Sequence, residues 1–250
     1  MDFTGKVAVV TGGGTGLGQA ISRLLAEHGG DVAVVYSRSQ EDAEATGREL
    51  SSLGRTATTH RIDVADEAGV AAGFEEIVRV HGGIDYLVNN AGTTAYVPFE
   101  DVDGLTGELW DRILGVNVKG AFFCARAAAR SMKRRGGGAI VNITSVAAYR
   151  PTGSSLAYSV SKAALAHLTR GLAVALAPDV RVNAVAPGGM YTRWWSTRRT
   201  PEEWATGAEK LLLKRYAPLE DIALTALQLL ANPSVTGQAL VMDGGQLMPT

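Results

Sequence analysis

Short apolar segments alternate with longer amphipathic segments along the whole chain. Most of the short segments are rich in β-branched residues and nearly continuous in apolarity, which is typical of strands that are covered on both faces. The predicted strands are residues 6–11, 31–36, 57–63, 84–89, 139–144, 180–185 and 239–242. The predicted helices between them are residues 18–28, 40–53, 67–81, 109–135, 156–176 and 219–230.

Strands that alternate with helices usually pair in parallel, through right-handed crossovers that place helices on both faces of the sheet. The pattern therefore predicts a doubly wound α/β fold with seven parallel strands. The 250 residues are enough for one large core, and no linker, repeat or low-complexity segment divides them. We expect a single domain over residues 1–250, with ligands bound beyond the carboxyl ends of the strands.

Composition and charge exclude several classes of function. A formal net charge of −1 gives no electrostatic reason to expect nucleic acid or an anionic membrane as a partner. Cys124 is the one cysteine, which excludes an internal disulfide, and its apolar neighbours predict a buried, inert thiol. The four histidines show no metal-binding spacing. Neither a signal-peptide pattern nor a membrane-spanning apolar run is visible, so we expect a cytoplasmic protein.

A glycine-rich segment at residues 11–18 (TGGGTGLG) follows the first predicted strand and opens the first helix. Glycines allow a tight turn and a close approach to a pyrophosphate, which the free N–H groups of a helix N-terminus attract. The spacing departs from the general G-x-G-x-x-G fingerprint, and the alternative is a flexible turn without a ligand. The residues of this turn predicted to bind a dinucleotide are Gly12, Gly14, Thr15, Gly16 and Leu17.

Tyr158 and Lys162 lie four positions apart in the predicted helix 156–176, so we expect their side chains on the same helical face. The ammonium is expected to lower the pKa of the phenol, so that Tyr158 can exchange a proton with a substrate oxygen. Ser145, thirteen residues upstream, offers a second hydrogen bond to the same oxygen. The Tyr-x-x-x-Lys pair is weak evidence by itself and gains its value from the motifs around it.

Further motifs occur in the same order along the chain: Asp63–Val64, NNAG at residues 89–92, Asn117 in GVNVKG, and Pro187–Gly188. With the glycine turn and Ser145, Tyr158 and Lys162, they resemble the short-chain dehydrogenase/reductase family from residue 6 to about residue 245. The resemblance implies a Rossmann-type oxidoreductase that transfers a hydride between a nicotinamide and a ketone or secondary alcohol.

The resemblance also implies a role for each catalytic candidate. Tyr158 would be the general acid or base, Lys162 would lower its pKa and hold the nicotinamide ribose, and Ser145 would orient the carbonyl. Asn117 would bend its helix locally and hold a water that completes a proton relay; taken alone, it reads as a surface polar residue. The other implied cofactor contacts, from adenine to nicotinamide, are Asp63, Val64, Asn90, Ala91, Gly92, Pro187, Gly188, Met190 and Thr192.

The end of the second predicted strand bears on the choice of nicotinamide. Enzymes that prefer NAD usually carry a carboxylate there for the adenosine ribose, whereas this chain has none before Glu41. Arg38 can hold a 2′-phosphate, with Ser37 or Ser39 adding a hydrogen bond. Thr15 stands where some NADP-preferring relatives carry a basic residue, and Arg38 could instead be a solvated loop arginine. We predict NADP(H) in preference to NAD(H).

Residues 189–216 occupy the place of the family's substrate lid. The segment contains Trp194, Trp195 and Trp204, with Arg193, Arg198 and Arg199 near them. The tryptophans would either shape an apolar substrate pocket or close the lid onto the body or a neighbouring subunit. The arginines would either favour an anionic substrate or lie in water.

Several functions stay open at this point. The first is a stand-alone ketone reductase or secondary-alcohol dehydrogenase for a small-molecule substrate. The second is a 3-oxoacyl-acyl-carrier-protein reductase, for which the basic residues 133–135 would offer a docking surface. A non-catalytic nicotinamide-binding sensor or scaffold is a third, which the intact catalytic set disfavours. An epimerase or dehydratase of the longer branch is also disfavoured, because such enzymes add a C-terminal substrate region.

Two predicted helical segments, residues 120–129 and 163–177, are apolar around much of their circumference. One core-facing stripe does not need so much apolar surface, so we expect a protein partner. In the family these two helices pair across a two-fold axis into a four-helix bundle. The resemblance therefore implies a homotetramer, with a homodimer as the second choice.

Overall fold

The computed structural model describes residues 1–193 and 200–248. Its strands are β1 (Val7–Thr11), β2 (Asp31–Tyr36), β3 (Ala57–Arg61), β4 (Tyr86–Asn89), β5 (Gly138–Ile143), β6 (Val180–Pro187) and β7 (Ala239–Met242). They form one seven-stranded parallel sheet in the order β3-β2-β1-β4-β5-β6-β7. The predicted fold class is confirmed.

The helices of the described residues lie on both faces of this sheet. They are α1 (Gly16–Glu27), α2 (Gln40–Ser52), α3 (Glu67–His81), α4 (Gly107–Leu114), α5 (Ala121–Arg134), α6 (Leu156–Leu176), α7 (Pro201–Glu209) and α8 (Leu219–Ala231). One apolar core joins the sheet to α1, α2 and α8, and a second joins its other face to α3, α5 and α6. Cys124 is buried in the second core, where burial raises the pKa of its thiol to about 12, so the predicted inert thiol is confirmed.

The helix predicted over residues 109–135 is present and runs without interruption through α4, a π-helical turn at Gly115–Gly120, and α5. Helix α7 was not predicted, although its start is encoded locally. Thr200 and Glu203 form a capping box there, in which each side chain accepts a hydrogen bond from the other residue's backbone N–H, and proline is the first helical residue.

Two predicted strands were too long. The strand predicted over residues 57–63 ends at Arg61, and the one over residues 84–89 starts at Tyr86. Asp85 is buried before β4, where its carboxylate accepts a hydrogen bond from the N–H of Val7 (2.9 Å) and pairs with Arg135 (3.0 Å). Within the described residues, no helix combines the length and apolarity needed to cross a membrane.

The sheet positions the candidate site through the reversal of strand order between β1 and β4. From β1 the chain moves outward to β2 and β3, and from β4 it moves in the other direction to β7. The connections that leave β1 and β4 therefore diverge and open a crevice at the carboxyl edge, where ligands bind in such sheets. The glycine turn, residues 90–92, Ser145 and Gly188 all directly follow strands at this edge.

Candidate active site

Tyr158 and Lys162 face each other across one turn of α6. The helix begins at Leu156, because the Ser155 hydroxyl caps it by accepting a hydrogen bond from the N–H of Tyr158 (3.2 Å). The Lys162 Nζ lies 5.7 Å from the centre of the Tyr158 ring. The prediction that these two side chains share a face is confirmed.

Lys162 is a buried cation at the end of β5. Its side chain is 5% exposed, and Nζ donates a hydrogen bond to the carbonyl oxygen of Ile143 (2.8 Å). Burial lowers the pKa of Lys162 to about 8, because removal from water disfavours the charged form. The ammonium therefore titrates close to neutral pH.

Ser145 lies between β5 and α6, next to the phenol of Tyr158. Its hydroxyl accepts a hydrogen bond from the N–H of Ala147 (3.1 Å) and caps a short 3-10 turn at Val146–Ala148. The Ser145 side chain also lies close enough to Tyr158 to influence its pKa. The structure thus brings together the two hydroxyl groups predicted to face the substrate oxygen.

The predicted lowering of the Tyr158 pKa is wrong for this structure. Burial raises the pKa of the phenol to about 12, against the opposing influence of Ser145, and the nearby Tyr96 raises it further. Desolvation dominates because the negative phenolate loses more hydration than the neutral phenol, even though Tyr158 keeps some exposed surface. The phenol is therefore protonated at neutral pH and can act as a proton donor.

Tyr96 belongs to this site and was missed in the sequence. The loop after β4 is fastened to the segment before α6 by two contacts. The N–H of Val97 donates to the carbonyl oxygen of Ser154 (3.0 Å), and the hydroxyls of Thr94 and Ser154 are hydrogen-bonded. This places Tyr96 close enough to Tyr158 to affect its pKa. The available signal was an aromatic residue in the loop that follows the central strand.

Asn117 lies in the π-helical turn and is buried, 1% exposed. Its Oδ1 accepts from the N–H of Thr93 (2.8 Å), and its Nδ2 donates to the Thr93 carbonyl (3.0 Å) and to the Ser161 hydroxyl (2.9 Å). The predicted local distortion of the helix is confirmed, and the reading of Asn117 as a surface residue is wrong. The side chain ties the helix to the β4 loop and to α6.

The glycine turn, residues 11–18, forms a cradle in which glycines leave the backbone accessible to a ligand. Gly12 and Gly16 have positive φ angles of 64° and 53°, which favour glycine. A Cβ on Gly14 would lie 2.6 Å from the Ala43 Cα, and one on Gly16 would lie 3.5 Å from the Thr192 Cγ2. The described turn is therefore enclosed by α2 on one side and by the segment after β6 on the other.

The N-terminus of α1 fits the phosphates of a nicotinamide dinucleotide. Thr15 precedes the helix, and its side chain makes no capping hydrogen bond, so the first N–H groups remain available to an anion. The Leu17 side chain is buried in the core, so this residue can offer only its backbone to a ligand. These features match the predicted contacts with a pyrophosphate.

Asn90 braces the glycine turn. Its Nδ2 donates to the carbonyl oxygens of Thr11 (3.0 Å) and Gly12 (3.1 Å), and the Thr11 hydroxyl accepts from the N–H of Ala91 (3.0 Å). A Cβ on Gly92 would lie 3.8 Å from the Lys162 Nζ. The residues after β4 thus connect the cradle to the catalytic helix.

The adenosine-side candidates are mostly exposed. Ser37 and Arg38 follow β2 in the loop before α2, and Arg38 has no ion-pair partner within the described residues. Asp63 accepts a hydrogen bond from the N–H of Ala65 (3.0 Å), while Val64 is buried. Asp42 of α2, four residues after Arg38, forms an ion pair with Arg193 (2.7 Å).

The nicotinamide-side candidates continue from β6. Pro187 ends the strand, and the N–H of Gly188 donates to the carbonyl oxygen of Met242 (2.9 Å). Met190 packs against the core, and Thr192 reaches the glycine turn as described above. The structure therefore brings this segment and the cradle together.

The described part of the lid is held by aromatic packing. Trp204 of α7 stacks on Tyr216, with ring centres 3.9 Å apart, and contacts Tyr191 edge-on at 5.5 Å. These three residues and Arg215 contribute to the lining of a cavity of about 320 Å³. Trp204 therefore packs within the lid, against aromatic residues near its two ends. Four other lid candidates lie outside the described residues: Trp194, Trp195, Arg198 and Arg199.

Comparison with known proteins agrees with this geometry. A family model described as short chain dehydrogenase matches residues 6–203. The chain belongs to the short-chain dehydrogenase family. A protein of Streptomyces violaceoruber named "Granaticin polyketide synthase putative ketoacyl reductase 2" is 40% identical over 243 residues, which are 96% of this chain and 95% of that protein.

Two solved structures show how close the fold is. A short chain dehydrogenase from Burkholderia cenocepacia J2315 in complex with NADP has a TM-score of 0.89 and 34% identity, covering 98% of this chain and 99% of that one. An NAD+-bound xylitol dehydrogenase has a TM-score of 0.88 and 32% identity, covering 98% and 100%. This short-chain dehydrogenase is accordingly an oxidoreductase with a nicotinamide-binding fold, from a family that acts on alcohol and ketone groups.

Proposed function

We propose that this short-chain dehydrogenase transfers a hydride between NADP(H) and a ketone or secondary alcohol, with Tyr158 as general acid or base. The observation that carries the proposal is the arrangement around the phenol: Ser145 lies beside Tyr158, and the Lys162 ammonium is buried one helical turn away. A bound nicotinamide would supply or accept the hydride, and the side chains around Tyr158 would transfer the proton.

The protonated phenol suits the reductive direction. Tyr158 and Ser145 would both donate hydrogen bonds to the carbonyl oxygen, and Tyr158 would pass its proton to that oxygen as negative charge develops. Lys162 would then favour the resulting phenolate through its charge. The ammonium would also serve as the next proton donor, since its pKa of about 8 allows it to exchange a proton near neutral pH.

Asn117 would position this machinery. Its side chain is fully engaged with Thr93 and Ser161, so it fixes the π-helical turn beside the β4 loop. A Cβ on Gly92 would lie 3.5 Å from the Asn117 Oδ1 and 3.8 Å from the Lys162 Nζ. This proximity supports a proton path that leaves Lys162 in the direction of Asn117.

The preference for NADP(H) rests on the loop after β2. Arg38 and Ser37 are exposed there, and no carboxylate occupies residues 37–40. A guanidinium can form paired hydrogen bonds with a 2′-phosphate, whereas a carboxylate would repel it. The NADP complex of the Burkholderia relative supports this preference, and the NAD+ complex of the xylitol dehydrogenase is the reason to test both cofactors.

A second candidate function is the reduction of a 3-oxoacyl thioester. The Streptomyces relative named as a ketoacyl reductase favours it. Such an activity would use the same Tyr158, Ser145 and Lys162 and would differ in the substrate that binds under the lid. A non-catalytic cofactor-binding protein would need none of these three groups in this arrangement.

We further propose that the enzyme is one domain with a lid at residues 189–216 and that it assembles as a homotetramer. The exposed face of α6 carries small and apolar residues, among them Val160 (41% exposed) and Val174 (82%). On α5, Phe122 is 37% exposed. Apolar surface of this kind on two neighbouring helices suits an interface between subunits better than contact with water.

The experiment that tests the function is NADPH and NADH oxidation with simple ketones, cyclic diketones, quinones, keto-sugars and 3-oxoacyl thioesters. We expect turnover with NADPH on one of these classes, and Tyr158→Phe should lower it by about 100-fold or more while cofactor binding persists. Tyr149→Phe, at an exposed tyrosine, is the matched control. Cofactor binding without turnover in either direction would favour a sensor, and full activity of Tyr158→Phe would exclude its assigned role.

A further inference from the structure

An ion pair joins two segments that enclose the glycine turn from opposite sides. Gly14 lies against Ala43 of α2, and Gly16 lies against Thr192 in the segment after β6. Asp42 and Arg193 are the chain neighbours of those two contact residues. Their side chains meet with the Arg193 Nη2 2.7 Å from the Asp42 Oδ1, although 151 positions separate them in sequence.

Together, these contacts enclose residues 14–16 of the glycine turn between two segments. One segment is the first turn of α2, which contains Asp42. The other is the start of the lid, which contains Arg193 and follows the residues proposed to face the nicotinamide. The Gly14–Ala43 and Gly16–Thr192 contacts involve carbon atoms, and the Asp42–Arg193 ion pair adds an electrostatic contact between the same two segments.

The Asp42–Arg193 ion pair lies where a surface salt bridge can affect the rate of ligand release. Its side chains are 69% (Arg193) and 35% (Asp42) exposed, so solvent screens the pair and its contribution to global stability is small. Opening it costs little, yet opening separates the lid from the α2 side of the cradle. A lid that must open before a ligand leaves can control the rate of release.

We infer that the Asp42–Arg193 bridge holds the start of the lid closed over the pyrophosphate cradle and slows the release of the bound nicotinamide dinucleotide. The inference rests on the proposed cofactor site and adds two positioning residues to it. Arg193 acts here through Asp42 and the lid, and Asp42 acts through Arg193.

The test is the dissociation rate of NADPH, measured by stopped-flow fluorescence while excess NADP+ displaces it. Asp42→Asn and Arg193→Gln should each raise the rate by about threefold to fivefold, the scale of one exposed ion pair. The double variant should release NADPH no faster than either single variant, because all three lack the same bridge. Glu67→Gln is the matched control, since Glu67 also lies in the first turn of a helix and pairs with an arginine of another element, Arg126, at 2.6 Å.

The outcomes separate this inference from the proposed function. If wild-type protein binds NADPH and both single variants release it at the wild-type rate, the bridge has no role and the proposed function stands. If the variants change release in opposite directions, Arg193 contacts the cofactor directly and the bridge is refuted. If wild-type protein binds neither NADPH nor NADH, the proposed function fails and the inference fails with it.

Discussion

Lys162 is buried one helical turn from Tyr158, with its Nζ 5.7 Å from the phenol ring and 2.8 Å from the carbonyl oxygen of Ile143. Burial acts on the two groups in opposite directions, since it lowers the pKa of the lysine to about 8 and raises that of the tyrosine to about 12. Burial therefore favours the uncharged form of each side chain, relative to the same group in water. This arrangement has a cost in stability that can be measured.

Removing the buried charge should stabilise the protein. Between pH 8 and 10.5 the unfolded chain retains the lysine proton that the folded chain releases, so wild-type stability gains from rising pH in this window. Lys162→Met should therefore raise the free energy of unfolding by about 2 kcal/mol at pH 7, after loss of the hydrogen bond to Ile143. The gain should vanish toward pH 10.5. Urea unfolding at several pH values measures it, with the exposed Lys210→Met as control.

Arg38 should determine cofactor preference. Arg38→Ala removes the cation proposed to hold the 2′-phosphate, so NADPH binding should weaken by about 10-fold to 100-fold while NADH binding changes little. Fluorescence titration with both cofactors measures this without turnover. Arg48→Ala, at another exposed arginine, should change neither affinity. An equal loss for both cofactors would show that Arg38 does not recognise the 2′-phosphate.

Gly18 should tolerate no side chain. Its Cβ would lie 2.5 Å from the Asn90 Nδ2 and closer still to the carbonyl oxygen of Gly12. Gly18→Ala should lower the free energy of unfolding by about 2 kcal/mol or more, because the turn and α1 must separate. Gly107→Ala, with open space around its Cβ, should be neutral or slightly stabilising. Chemical denaturation compares the two, and equal effects would contradict this close approach.

Val174 should mark the subunit interface. At 82% exposure on α6 it accepts a charged residue in an isolated subunit, but not inside an apolar interface. Val174→Asp should therefore convert the proposed tetramer to smaller species in light scattering coupled to size exclusion. Val102→Asp, at a loop valine that is 64% exposed, should leave the assembly unchanged. A monomeric wild-type protein would refute both the tetramer and the dimer.

Trp204 should hold helix α7 in place within the lid. Trp204→Ala removes the stacking on Tyr216, so amide hydrogens of residues 201–209 should exchange about tenfold faster in mass-spectrometric measurements. Trp204→Phe retains an aromatic ring and should restore most of the protection. If Trp204→Ala leaves exchange in α7 unchanged, other contacts hold this helix.

Local chemistry explains what could be predicted from the sequence. All seven predicted strands agree with the structure to within two residues at each end, and most of them are β-branched apolar runs covered on both faces of the sheet. The same-face placement of Tyr158 and Lys162 depends only on the 3.6-residue helical repeat. The glycine turn is likewise a local feature, since positive φ angles and a close helix start select glycine there. The capping box at Thr200 is equally local, because Thr200, Pro201 and Glu203 lie within four consecutive residues.

The features that could not be predicted from the sequence depend on contacts between segments that are distant along the chain. The π-helical turn forms because Asn117 bonds to Thr93 and Ser161, which no periodicity in residues 109–135 reveals. The direction of the Tyr158 pKa shift depends on how much water the fold removes, and burial outweighs the opposing influence of Ser145. The Asp42–Arg193 bridge joins residues 151 positions apart. The sequence determines which chemical groups are present. The burial of these groups and the distances between them are set only when the chain has packed.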